Sequence, residues 1–328
     1  MRNEMNISKI GKFFMNIALV CGLLAVAGCG IPAEKDGASV AYQVTDEFGH
    51  TLTFTKKPER IYASTLGLNE ILIYLVDPGR ITALPQEAYD EKDSLIYKEA
   101  QTVGKKLPET LSTEQILALK PDLVIMQTAG DRDKAATLRD MGIPVCEMKP
   151  ALNYEGVVSH IRMTAQAVGE EEKGQEMLRE MEKKLEKVRT ALSSVPEEDR
   201  KILMAYSMNG VFGSKDGLFH QICTMAGVKN GAALGGLERG GHLSKEKILA
   251  VNPDYFLFPE RAFVSRTGED IDGYIEEVLS DPALQGVKAV QKKQIIKIKD
   301  RYRYASSQYF ADAVYEIASR VYPGAFGK

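Results

Sequence analysis

The chain of 328 residues has no tryptophan, four histidines and four cysteines. So few histidines are thin material for a metal cage, which needs several imidazole and carboxylate ligands converging. A net charge of −3 gives no footprint for nucleic acid, which asks for a strongly basic face. No G-x-S-x-G elbow, Walker loop or G-x-G-x-x-G turn occurs, so the usual signatures of α/β hydrolases and nucleotide-binding enzymes are missing. The glycine-rich "GGLERGG" (235–241) follows no strand-like run directly and opens no clear helix. What remains is ordinary globular composition, 44% hydrophobic and 27% charged. The length suits two lobes better than one core.

Long apolar runs are scarce too. The first 14 residues carry Arg2, Lys9 and Lys12, and "MNIALVCGLLAVAG" follows, too short for a transmembrane helix and typical of a secretory signal. It ends in "VAGC", which resembles the lipobox of bacterial lipoproteins, where the chain is cut before a cysteine that then carries lipid. Residues 1–28 are therefore expected to be a signal peptide and Cys29 the acylated residue. Residues 29–40 would form a tether holding the protein at the outer, extracytoplasmic face of the membrane. Cys21 leaves with the signal. Cys146 and Cys223 sit in apolar runs and are expected as buried free thiols.

Beyond the tether, "AYQVTDEFGHTLTF" reads as a β-hairpin. Apolar strand-like runs then alternate with helices: "RIYAST", "LNEILIYLV", "RITALP", "LSTEQILAL", "DLVIMQT", "DKAATLRDMG" and "IPVCEM". Strands apolar throughout point to a parallel sheet covered on both faces. Met177, Met181, Leu185, Val188 and Leu192 mark one apolar stripe, at three- and four-residue spacing, on an otherwise charged helix. The alternation then resumes through "KILMAYSM", "DYFLF", "QIIKIK" and "YFADAVYEIASRVY". The fold class is α/β, two lobes with mainly parallel sheets joined by one long helix: a lobe over 41–168, the joining helix over 169–195 and a second lobe over 196–328. "LSTEQILALKPD" (111–122) and "LSKEKILAVNPD" (243–254) place one shared helical unit in each lobe, too few copies for a solenoid.

In their order and spacing, the hairpin segment, "LSTEQILALKPDLVIM", the central helix, "LSKEKILAVNPDYFLF" and "YFADAVYEIASRVYPGAF" resemble the substrate-binding lipoproteins of ABC importers for iron–siderophore complexes, haem or cobalamin. The resemblance spans essentially the whole mature chain. It implies a monomeric binding protein, not an enzyme, holding a small-molecule iron complex between the lobes and handing it to a permease dimer with its ATPase. It also implies that Glu114 and Glu246, one in each repeated unit, dock on that permease, although first-turn acidic residues are favoured at a helix N-terminus in any case.

Ligands of open α/β sheets bind beyond the carboxyl ends of strands. The loops there carry Arg132, Arg239, Arg261, Arg266, Arg301 and Arg303, together with Tyr89, Tyr302 and Tyr304. Guanidinium forks take carboxylates and catecholates, and aromatic rings pack flat ligand parts. That suits an anionic ferric siderophore, ranked ahead of haem. Cobalamin ranks third, because the absence of tryptophan counts against a large corrinoid pocket. No separate cofactor or directly bound metal is expected. Arg132, flanked by Asp131 and Asp133, is the weakest candidate. His242 is the best-placed histidine. As a donor to an anionic chelate it needs no partner, whereas as a haem ligand it would need one such as Tyr89 or Tyr302. His50, His160 and His220 read as structural.

Overall fold

A computed structural model describes residues 41–108, 110–128, 132–261 and 271–327. The signal segment, Cys29, the tether and Arg266 lie outside the described residues. The hairpin pairs β1 (Tyr42–Thr45) with β2 (Thr51–Phe54) in antiparallel register. Next come β3 (Ile61–Ala63), α1 (Leu66–Leu75), β4 (Leu84–Pro85), α2 (Tyr97–Ala100), β5 (Lys106–Leu107) and α3 (Thr113–Ala118). The lobe is completed by β6 (Leu123–Gln127), α4 (Arg132–Asp140) and β7 (Val145–Met148). β3, β6 and β7 form a parallel sheet in that order. The reason β6 is apolar at nearly every position is visible in its packing. Leu123 and Ile125 join one core cluster while Val124 and Met126 join another on the opposite face, the two-residue period of a strand covered on both sides.

The run "RITALP", expected as a full strand, is not one. Ile81 makes a single parallel bridge to Ile61, and both the amide and the hydroxyl of Thr82 donate to the Ile61 carbonyl. The chain then turns away so that Leu84–Pro85 pairs with β5 instead; Pro85 has no N–H to extend a ladder.

α5 (Tyr154–Val168) ends at Gly169, whose φ of 71° closes the helix in the left-handed region. α6 (Glu171–Ala191) follows and joins the lobes. The stripe read in the sequence faces inward: Met181, Leu185 and Val188 are buried on α6, with Leu192 just beyond it. The second lobe contains β8 (Ile202–Ser207), β9 (Gly210–Phe212), α7 (Leu218–Met225), β10 (Lys229–Asn230) and α8 (Gly231–Leu234). It continues with α9 (Lys245–Val251), β11 (Tyr255–Pro259), α10 (Ile271–Ser280), α11 (Lys288–Gln291), β12 (Ile295–Ile298) and α12 (Phe310–Val321). β10, β8, β11 and β12 run parallel in that order, with β9 antiparallel on β8. One core cluster is continuous from β3 and α1 through α6 to α12. The lobes therefore share buried surface and are not beads on a linker. They also meet at α1, where a Cβ on Gly67 would overlap the Ser306 hydroxyl.

The twin stretches are one structural device used twice. Ser112 and Ser244 cap α3 and α9, Ser112 within a complete capping box with Gln115. Lys120 and Asn252 both turn the chain with φ of 49° ahead of Pro-Asp. The aspartate then caps a neighbouring strand. Asp122 accepts the Glu59 and Arg60 amides, each at 2.8 Å, just before β3, and Asp254 accepts the Ile202 amide at 2.9 Å at the start of β8. Cys146 and Cys223 are free and buried, and burial raises both thiols, leaving them inert.

Candidate functional site

Between the lobes lies a cavity of about 570 Å³, within the size range of small-ligand sites. It opens at the carboxyl ends of β6, β7, β8 and β12. Gln127 and the Pro150–Leu152 loop contribute from the first lobe; Asn209, Phe212, the 237–242 loop and Arg303–Tyr304 contribute from the second. Apolar surface is left open on both walls: Leu152 is 43% and Tyr304 40% exposed. Tyr304 packs edge-on against Phe212 with ring centroids 5.0 Å apart. A second, smaller cavity of about 170 Å³, lined by Ser64, Thr65, Thr110 and Thr128, adjoins through the shared Gln127.

The glycine-rich loop, one of the candidate ligand loops, forms the cavity rim. Gly236 and Gly240 have φ of 76° and 74°, backbone that glycine adopts without strain. They let the chain bring Arg239 and His242 to the cavity. Both side chains are exposed, and among the described residues neither has a hydrogen-bond or ion-pair partner. A guanidinium without a counter-charge among the described residues, at the mouth of a partly apolar cavity, has the chemistry to receive an anion.

The "DRYRY" residues separate into different roles on a single 3₁₀ turn, Asp300–Tyr304. Tyr304 faces the cavity. Arg303 lines it too, but is only 2% exposed. Its guanidinium pairs with Asp300, donates to the Tyr206 carbonyl at 2.9 Å, and lies 4.7 Å over the Phe212 ring. Its donors are directed into the protein, so Arg303 braces the aromatic wall. Arg301 is drawn across the lobe boundary to the buried Glu70 at 3.1 Å, outside the cavity lining. Tyr302 packs against the core, and burial pushes its phenol up to about 12.

Tyr89 and Arg261 are also placed away from the cavity. The Tyr89 hydroxyl donates to the Val103 carbonyl, and Arg261 pairs with Asp90 at 3.0 Å. Arg132 begins α4; its side chain lies outside the described residues. Leu152, Phe212 and Gln127 were not singled out from the sequence. The signal for Leu152 was available in the 149–153 loop beyond β7, a strand end like the others.

Glu114 and Glu246 stand exposed in the first turns of α3 and α9, one per lobe. The Ser112 hydroxyl, 2.7 Å from Glu114, holds that carboxyl below its ordinary range, and Ser244 does the same for Glu246. Both are therefore anionic at neutral pH. His160 is buried with Nε2 2.7 Å from the Lys149 carbonyl, and burial lowers its pKa. Asp46, His50 and Glu147 come close enough to hold an ion. However, Arg139 bonds both carboxylates, at 3.3 and 2.7 Å, so that cluster is an ion-paired knot fastening the hairpin to β7. No described helix is long and apolar enough to cross a membrane.

Comparison with known proteins agrees with this architecture. The periplasmic binding protein family matches residues 70–302, well over half of the sequence. The chain belongs to that family. It is accordingly a substrate-binding protein, not an enzyme. The uncharacterized ABC transporter substrate-binding lipoprotein YvrC of Bacillus subtilis is 24% identical over 327 residues, covering 94% of this chain and 96% of that protein. The fold is similar to that of the periplasmic haem-binding protein RhuT of Roseiflexus sp. RS-1, with TM-score 0.66, 21% identity and coverage of 81% of this chain and 99% of that one. It is similar as well to a periplasmic binding protein of Veillonella parvula, with TM-score 0.69, 19% identity and coverage of 88% and 99%.

Proposed function

We propose that this protein is anchored outside the cell through a lipid on Cys29, captures a ferric siderophore between its lobes and delivers it to an ABC importer. The observation that carries the ligand class is the pairing of the unpartnered Arg239 with the apolar surface of Leu152, Phe212 and Tyr304. An anionic chelate with flat aromatic or aliphatic arms satisfies both. The iron complex is cargo, so the reading requires no resident cofactor. The names of the relatives support delivery to an importer and lipid anchoring. The exposed, anionic Glu114 and Glu246 are the two contacts for a two-subunit permease; charges of this kind govern orientation and encounter more than affinity.

Haem is the second reading, supported by His242 at the cavity and by the haem-binding name of a structural relative. Tyr89 and Tyr302, the partners expected for it from the sequence, do not line the cavity, whereas Tyr304 does.

Titrating the purified protein with a panel of ferric siderophores, haem and cobalamin, followed by tyrosine fluorescence and visible absorbance, tests the reading. One-to-one saturation by a ferric chelate is expected. A Soret shift that vanishes in His242→Ala, with no response to any chelate, would overturn it. Reversing charge at Glu114 and Glu246 should abolish uptake and leave ligand affinity intact; lost affinity would sink the docking role.

A further inference from the structure

Beneath the cavity the lobes are joined by buried charge. Glu70 of α1 accepts from Arg301 at 3.1 Å and from the Ser307 hydroxyl at 2.6 Å, and its carbonyl takes the Gln308 amide at 2.8 Å. Asp300 is held by Arg303. A third carboxylate, Asp93, reaches the same junction from the 90–96 loop of the first lobe and is only 4% exposed.

Asp93 is the odd one out. One of its oxygens accepts the Arg301 amide at 3.3 Å; the other is buried with no hydrogen-bond partner. Both guanidinium groups of the junction are committed elsewhere, Arg301 to Glu70 and Arg303 to Asp300. The Lys299 ammonium is directed to the Ser94 carbonyl at 3.3 Å, and Arg261 is engaged by Asp90. Asp300 and Asp90 face Asp93 with charge of its own sign, opposed by Arg301. A buried carboxylate without a cation, beside a second carboxylate, is costly to ionise.

The position of Asp93 ties that cost to the cleft. Its loop is fastened to the second lobe by the Ser94 contact and by the Tyr309 hydroxyl, 2.8 Å from the Leu95 carbonyl. The turn it touches carries Arg303, which braces Phe212, and Tyr304 itself.

We propose that Asp93 is a positioning residue for the cleft wall and a proton-sensitive latch between the lobes. Uncharged, it seats the 90–96 loop on the 299–304 turn. Ionised, it loosens that seat and, through Asp300 and Arg303, the Phe212–Tyr304 wall. This goes beyond the proposed function and holds whatever the ligand is.

Burial and Asp300 push the Asp93 carboxyl up to about 6. A carboxyl raised on folding contributes stability that is fully present below its unfolded pKa, near 4, and is lost as pH rises through about 6.

The test is urea unfolding of the ligand-free protein from pH 4 to pH 7.5, wild type against Asp93→Asn. Relative to the variant, the wild-type folding equilibrium constant should fall ten- to a hundredfold, on the order of the ratio its raised pKa implies. Hydrogen exchange of wild type, corrected for intrinsic rates, supplies a readout that needs no variant. Protection in 90–96 and 299–304 should drop between pH 5 and pH 7. Parallel unfolding profiles, or protection unchanged with pH, would overturn the latch. The siderophore titration would stand or fall separately, because neither measurement here contains ligand.

Discussion

Replacing Arg303 with methionine removes a guanidinium that touches the cavity, so a ligand contact and a structural brace predict different outcomes. Geometry favours the brace. Arg303 is buried, its donors go to Asp300 and the Tyr206 carbonyl, and its plane covers Phe212. Arg303→Met leaves Asp300 as an uncompensated buried charge, a class of change that costs about 3–5 kcal/mol. For a chain of this size each kcal/mol lowers Tm by roughly 1.5 °C, so a fall of about 5–7 °C is expected. The companion change supplies the diagnosis. Asp300→Leu in the same chain removes the stranded carboxylate, and buried ion pairs are often replaceable by apolar groups of similar volume with little loss. The double variant should therefore recover most of the lost Tm. Differential scanning calorimetry of the single and double variants reads this directly. An unchanged Tm in Arg303→Met, with only ligand binding lost, would refute the brace and restore Arg303 as a ligand contact.

Other outcomes follow from the same geometry. Arg239→Ala should leave Tm unchanged within about 0.5 kcal/mol of stability, as expected for an exposed side chain without partners. It should nevertheless weaken binding of an anionic chelate roughly 10- to 100-fold, the worth of one charge-assisted hydrogen bond, by fluorescence titration. Leu152→Ser should weaken the same ligand severalfold without altering salt dependence, because it removes apolar contact and not charge. Gly174→Val should destabilise by about 1–3 kcal/mol in urea unfolding, since a Cβ there would overlap Ala165 where α5 and α6 meet.

Element types were legible in the sequence wherever the pattern was strong. β6 and β11 are apolar on both faces because each sits between two cores, and the α6 stripe carried its own period. "RITALP" misled because its composition is that of a strand, while the Thr82 bonds to Ile61 and the missing N–H of Pro85 cut its pairing short. The role of the twin Pro-Asp stretches was half legible. Their helices could be read, but the capping of a distant strand by Asp122 and Asp254 exists only once the chain has folded. Within the site, sequence position identified the strand-end loops that bring Arg239, His242, Arg303 and Tyr304 to the cavity. It could not separate them from Tyr89, Arg261 and Arg301, which occupy similar loops. Arg261, Arg301 and Tyr89 are drawn elsewhere by Asp90, Glu70 and the Val103 carbonyl. Arg303 instead finds its partners, Asp300 and the Tyr206 carbonyl, at the cavity wall itself, and Arg239 and His242 have none among the described residues. Partner geometry is a three-dimensional property that no local pattern records.

The proposed function puts the cargo in the inter-lobe cavity, against the Phe212–Tyr304 wall and the Leu152 loop. Hydrogen-exchange footprinting with the tightest-binding ferric siderophore addresses it most directly. New protection is expected in 207–213, 237–242 and 150–152 together, one wall from each lobe. Protection confined to the 86–90 segment around Tyr89, or to one lobe alone, would contradict it.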